Sequence, residues 1–373
     1  MLGAADVTQF ATSALGPVLQ EVRLQITPYE SKTVLRLWVS DDPAVGGRLE
    51  VHNHLGVLEQ NTEIVSRFIT DIDNRDPSGR PVMYSESNGY ELERRVYNAS
   101  RLPNGTADLP GTLAVNYWPS QMSALIRTGG GFGDEQQPQP QPQRQLSVAL
   151  DRSHGVSTTP SSGVLEVMQH RRTINHGVSP AVVMDDASRV VTQIWISIGE
   201  AVESNRARHA LKLRLNHPLV PVFTAAKSAN ASVLSAAAEE RARSATAVPS
   251  GVYVQSVRAL DVSATSVVAR VMSTFSSTER DPLYSAPSYQ PSVDIPAVLG
   301  LQSSDANCTE VALTAMATLQ QVVAQRVRFP TVLSTTGESL DSEAVRPNSS
   351  GDQCKPNVAP FEIRTVLVSR TKM

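Results

Sequence analysis

His52 and His54 stand two residues apart in the alternating run Leu49-Glu50-Val51-His52-Asn53-His54-Leu55. On a strand that spacing puts both imidazoles on one face. Such a pair could hold a metal. No third ligand stands nearby in the sequence, so both are expected to be exposed or satisfied within a core. His170 and His176 could also be read as ligands. Asp185-Asp186 could suggest acid chemistry, but a polar turn between strands is the better reading. Trp38, Trp118 and Trp195 could form a platform for stacking sugars. Trp38 and Trp195 alternate with apolar neighbours and are expected in the core. Trp118 lies in the turn-like Asn116-Tyr117-Trp118-Pro119 and is the candidate for exposure.

Period-2 alternation dominates the elements that would position these groups. Val34–Val39, Leu49–Leu55, Gln193–Ile198, Leu211–Leu215 and Gly251–Val257 all read as strands with one apolar face. The composition, with 24 Pro and 21 Gly, suits short strands and many turns. The expected architecture is all β. Gly129–Gln145, with its glycines and Gln-Pro repeats, is expected to be a solvated loop. Residues 225–249 are rich in Ala and Ser and are expected to be a linker, so the domains run 1–224 and 250–373. Residues 309–327, carrying Val311, Met316, Leu319, Val322 and Val323, predict one amphipathic helix.

A net charge of -3 and a pI near 6.2 argue against general nucleic-acid binding. No apolar run approaches the roughly 18 residues of a membrane helix, so no membrane partner is expected. The first twenty residues hold Asp6 and no Lys or Arg, and lack the positive region of a secretory signal. The two cysteines, Cys308 and Cys354, could form one disulfide in an oxidising compartment, or remain two buried thiols. Five N-x-S/T sequons, at Asn98, Asn104, Asn230, Asn307 and Asn348, lean towards a glycosylated protein of the endomembrane system.

The block Leu150-Asp151-Arg152-Ser153-His154-Gly155, then Ser162-Gly163-Val164 and Leu165-Glu166-Val167-Met168-Gln169-His170-Arg171-Arg172, resembles the C-terminal half of the retaining α-mannosidases of glycoside hydrolase family 38, the lysosomal type above all. Further motifs follow the family in order. They are Gly16–Arg23, Ile64-Val65-Ser66-Arg67-Phe68, Tyr84-Ser85-Glu86-Ser87-Asn88-Gly89 with Leu92-Glu93-Arg94-Arg95, Val115–Pro119, and Pro360-Phe361-Glu362-Ile363-Arg364-Thr365.

The resemblance implies a galactose-mutarotase-like supersandwich followed by a smaller β-sandwich, with one or two short helices. It implies hydrolysis of terminal α-D-mannose from glycans by the complete enzyme, in the lysosome or another endomembrane lumen. The partners it implies are an N-terminal catalytic domain and mannose-containing glycans. Retaining hydrolysis needs two carboxyls about 5 Å apart. In the family those groups, and the ligands of its zinc, lie mainly in the N-terminal region. The sequence holds no H-x-D zinc motif or nucleophile block, so no catalytic residue, metal ligand or cofactor is assigned to this chain. Its expected role is to shape the cleft and dock the catalytic domain, inactive by itself; the alternative is a stand-alone carbohydrate-binding or structural module. His170, Arg171 and Arg172 are the cleft candidates, although buried structural arginines are the stronger expectation. The family's acidic D-D-x-R-G loop is replaced by Thr173–Val178.

Overall fold

Alternating burial follows the alternating sequence. In β4 (Leu49–Leu55), Val51, Asn53 and Leu55 are buried, while His52 and His54 lie between them half-buried. The structure is a computed structural model. It describes residues 7–26, 30–40, 46–98, 116–130, 143–173, 185–218, 248–249, 251–260, 265–274, 291–325, 352–359 and 362–370. These fall into two compact units that divide near residue 221. Apart from Val248 and Pro249, the expected linker lies outside the described residues, as does most of Gly129–Gln145; Arg144 and Gln145 open a strand.

The first unit is an antiparallel sandwich. Its large sheet comprises β1 (Val7–Leu15), β2 (Leu19–Ile26), β3 (Ser31–Trp38), β4, β6 (Val82–Glu86), β7 (Leu92–Val96), β9 (Ser123–Arg127), β10 (Arg144–Leu150) and β13 (Val190–Glu200). Their order across the sheet is β1-β2-β3-β4-β13-β10-β9-β6-β7. The small sheet comprises β5 (Thr62–Ile69), β8 (Trp118–Ser120), β11 (His154–Thr158) and β12 (Val164–Arg172), in the order β5-β12-β11-β8. Leu146, Val148, Leu150 and Ile194 of the large sheet pack with Val156, Leu165 and Val167 of the small one. Trp118 is not exposed: it is partly buried against this core, because its strand position turns the indole inwards beside Val156.

Leu211–Leu215 is not a strand. It ends helix α1 (Ala201–Asn216). Ala207, Leu211 and Leu215 recur every four residues and pack against Ala149 and Trp195. Five alternating residues satisfy a strand period as well as a helix face; the packing partner decides.

The second unit has one described sheet, β14 (Val252–Ala259), β15 (Ser266–Ser273), β16 (Ala306–Val311) and β17 (Ile363–Arg370), in the order β14-β15-β17-β16. Its core combines Ala269 and Val271 with Val366 and Val368, and with Ile295 from the short helix α2 (Ile295–Val298). Asp294 caps α2 by accepting from the Ala297 amide at 3.0 Å. Cys308 in β16 is bonded to Cys354. The single helix expected over 309–327 is replaced by the end of β16, a turn, and α3 (Leu319–Gln325). Pairing of Thr309 and Val311 with β17 holds the first part extended, and Met316 is 87% exposed rather than on a core face.

Candidate functional site

β12 gathers the groups that the sequence singles out. The hairpin before it depends on Gly163, whose φ of +78° is left-handed and whose amide donates to Asn74 Oδ1 at 2.8 Å. A Cβ there would stand 2.3 Å from the Thr70 carbonyl oxygen, so no larger residue fits without moving the backbone.

Along β12 the two faces carry different chemistry. Towards the core, Gln169 follows Leu165 and Val167. Asn53 donates to Gln169 Oε1 at 3.3 Å, Thr192 donates to the same oxygen, and Thr33 donates to Asn53 Oδ1 at 2.9 Å. This buried polar network ties the two sheets together, and the pairing with β5 is irregular at that point, between Met168 and His170. On the other face, Glu166 is 1% exposed yet bonded twice. It accepts from Arg67 Nε at 2.6 Å and from the Tyr117 hydroxyl at 2.8 Å. Burial, and then the Glu166 carboxylate, push the Tyr117 phenol far above its ordinary range, so it remains a donor. His154 is held between the Met168 carbonyl at 2.7 Å and Asp151 at 3.2 Å.

The end of the strand places the three cleft candidates side by side. Arg171 is not a buried arginine. Its side chain is 41% exposed and pairs at 2.7 Å with Glu63, its cross-strand neighbour on β5. Arg172 is the more enclosed of the two: Nε donates to Asp185 at 2.6 Å and a terminal nitrogen to the Leu58 carbonyl at 2.7 Å. His170 is buried, and its Nε2 has no hydrogen-bond partner among the described residues. Asp186 beside them is held below the usual carboxylate range by its hydrogen bonds to Ser188, with His170 and Arg172 adding to the effect. Asp185 and Asp186 lie in the segment leading into β13, so Asp185 serves as a partner for Arg172. His176 and the rest of the loop after Thr173 lie outside the described residues.

His52 and His54 do not form a metal site. His52 Nε2 lies 2.7 Å from Glu50 and 3.3 Å from an Arg36 nitrogen, a cation set against any metal there. Glu50 also accepts from Trp38 Nε1 at 2.7 Å and from Gln193. Burial alone would raise the Glu50 carboxyl, but bonds from His52 and Trp38 outweigh it and hold it low. Trp38 is therefore half-buried with a polar task instead of a purely apolar one. Among the described residues no three His, Cys, Asp or Glu side chains converge as metal ligands, so these residues do not fit a zinc.

One cluster escaped the sequence reading. Arg208 and Lys212 of α1 both reach Glu86 of β6, and all three side chains are wholly buried. Lys212 also lies 5.6 Å from the centre of the Tyr90 ring. Their i, i+4 spacing was the available signal, hidden by reading Leu211–Leu215 as a strand. Of the sequons, Asn98 is half-buried and Asn307 exposed; Asn104, Asn230 and Asn348 lie outside the described residues.

No family model matches the chain. Over 372 residues it is 24% identical to the lysosomal alpha-mannosidase of Dictyostelium discoideum, covering 96% of this chain and 34% of that protein. Over 179 residues it is 29% identical to the epididymis-specific alpha-mannosidase of Sus scrofa, covering 47% of this chain and 15% of that protein. A glycosyl hydrolase family 38 protein from Enterococcus faecalis superposes with a TM-score of 0.55 at 10% identity, over 99% of this chain and 36% of the other. The chain is thus related to a region of the alpha-mannosidases and has an all-β sandwich fold found within a family 38 protein. It spans about a third or less of the length of these relatives.

Proposed function

We propose that this chain is the C-terminal β portion of an α-mannosidase of glycoside hydrolase family 38. In that role it shapes one wall of the cleft and docks an N-terminal catalytic domain. The complete enzyme would release terminal α-D-mannose from glycans in the lysosomal lumen. The observation that carries this reading is the alignment with the Dictyostelium relative, which takes in 96% of this chain but only 34% of that protein.

The site is consistent with a supporting role. Glu166 is engaged by Arg67 and Tyr117, Glu63 by Arg171, and Asp185 by Arg172. These carboxylates are already engaged by guanidiniums, whereas retaining hydrolysis needs two working carboxyls about 5 Å apart. Zinc chemistry would belong to the other part of the enzyme. Arg171, half-exposed at the strand end, is the group best placed to meet a partner or a sugar hydroxyl.

Co-purification with the catalytic region of a lysosomal-type α-mannosidase tests the reading. The expected result is a stable complex with the wild-type chain and a weaker one with Arg171→Ala. A chain that stays soluble and monomeric, with no affinity for that region, would favour a stand-alone module and overturn the proposal.

A further inference from the structure

We propose that Asn307 is an N-glycan acceptor that is filled before the adjacent Cys308–Cys354 bond closes. The inference rests on maturation in an oxidising, glycosylating compartment and does not depend on the mannosidase reading.

Asn307-Cys308-Thr309 is a sequon whose middle residue is the disulfide cysteine. It lies on β16, the edge strand of the second unit's sheet. A strand sends successive side chains to opposite faces. Cys308 is accordingly buried among Val366, Val368 and Ile295, while Asn307 is exposed and Thr309 half-exposed. Asn307 is in register with Ser369, which faces Ser266 on the next strand. That row is polar, and a glycan on Asn307 would extend over it without displacing core. The other described sequon is less suited. Asn98 is half-buried and leaves a glycan less room than the exposed Asn307.

The order of events follows from the topology. Transfer of a glycan needs the sequon free to enter an enzyme's active site. In the folded unit, Asn307, Cys308 and Thr309 are all paired with β17, and Cys308 is bonded to Cys354. Both β17 and Cys354 come later in the chain, so the sequon emerges unpaired during synthesis. The Asn307 amide nitrogen forms a bond to the anomeric carbon of a lipid-diphosphate-linked oligosaccharide. The bond from that carbon to the diphosphate breaks, the lipid diphosphate leaves, and the amide gives up one proton. Two thiols are then oxidised to the disulfide by the thiol–disulfide oxidants of the same compartment, which accept the two electrons. Closure first would tether the sequon to the sheet and deny it to the transferase.

The full chain, expressed behind a secretory leader in eukaryotic cells, is digested with an N-glycosidase in heavy-oxygen water and mapped by mass spectrometry. Conversion of Asn307 to labelled Asp is expected, together with loss of one glycan's mass in Asn307→Gln. An unlabelled Asn307 overturns the site. The order is read in Thr309→Ser, a less efficient acceptor that leaves occupancy incomplete. A thiol reductant present during synthesis should raise occupancy at Asn307 by twofold or more while leaving Asn98 unchanged. Occupancy at Asn307 that does not respond overturns the ordering.

Discussion

Lys212 Nζ lies 2.7 Å from Glu86 Oε1, with both side chains wholly shut off from water. Arg208 reaches the same carboxylate oxygen from one turn earlier on α1. Two cations from a helix thus meet one carboxylate from a strand, and the contact fixes α1 to the sheet. Breaking a buried pair by removing one partner costs about 3–5 kcal/mol, because a charge is left buried and uncompensated. Glu86→Ala is expected to lower stability by about that amount. Arg67→Ala, which removes a 43% exposed arginine from Glu166, should cost less. Urea midpoints of the two variants, measured side by side, check this; equal losses would contradict the assignment.

The bond between Cys308 and Cys354 joins positions 46 residues apart. A loop of that length contributes about 4 kcal/mol on the chain-entropy account. Cys354→Ser should lower the unfolding midpoint of the second unit and leave the first unchanged, because the cystine sits in a core formed by Val366, Val368 and Ile295. Calorimetry resolving two transitions would show which one moves. A shift of both, or of neither, would refute the expectation.

Asp76 accepts from the backbone amides of Ser78 and Arg80 and from the guanidiniums of Arg80 and Arg94. Burial alone would raise its carboxyl, but the Arg80 backbone and the two arginines outweigh it and hold it below the ordinary value. A depressed folded-state value means stability that is present above the unfolded value of about 4 and lost as pH falls below it. Asp76→Asn should cost on the order of 1–3 kcal/mol at pH 7. The gap between variant and wild type should then narrow as pH falls through the aspartate range. Urea unfolding from pH 7 to pH 3 reads this directly, and a constant gap would count against it.

The isolated chain should not hydrolyse a chromogenic α-mannoside, with or without added zinc. The carboxylates around β12 are engaged with Arg67, Arg171 and Arg172. Turnover that persists after contaminating mannosidases are removed, and that falls with Glu166→Gln, would refute this.

The sequence by itself determined the strands whose alternation is long and has a single solution. β4 and β13 were legible because each period-2 run has one apolar face, and a shift of one residue would turn that face to water. The block from Ser162 to Arg172 was legible as one unit only through its resemblance to the α-mannosidases; the left-handed φ of Gly163 and the burial of the strand after it came from the structure. The tertiary structure decided what local pattern left degenerate. Leu211–Leu215 fits two periods, and only the surface offered by Ala149 and Trp195, with Glu86 waiting beneath, makes it a helix. Val311 reads as part of a helix until β17 supplies a hydrogen-bonding edge. Trp118 reads as a turn residue until β11 draws it over the core. The same limit governs the charged groups. Their types are written in the chain, but whether Arg171 is free or tied to Glu63, and whether Glu166 is free or tied to Arg67, depends on neighbours roughly a hundred positions away, which the fold alone brings within 3 Å.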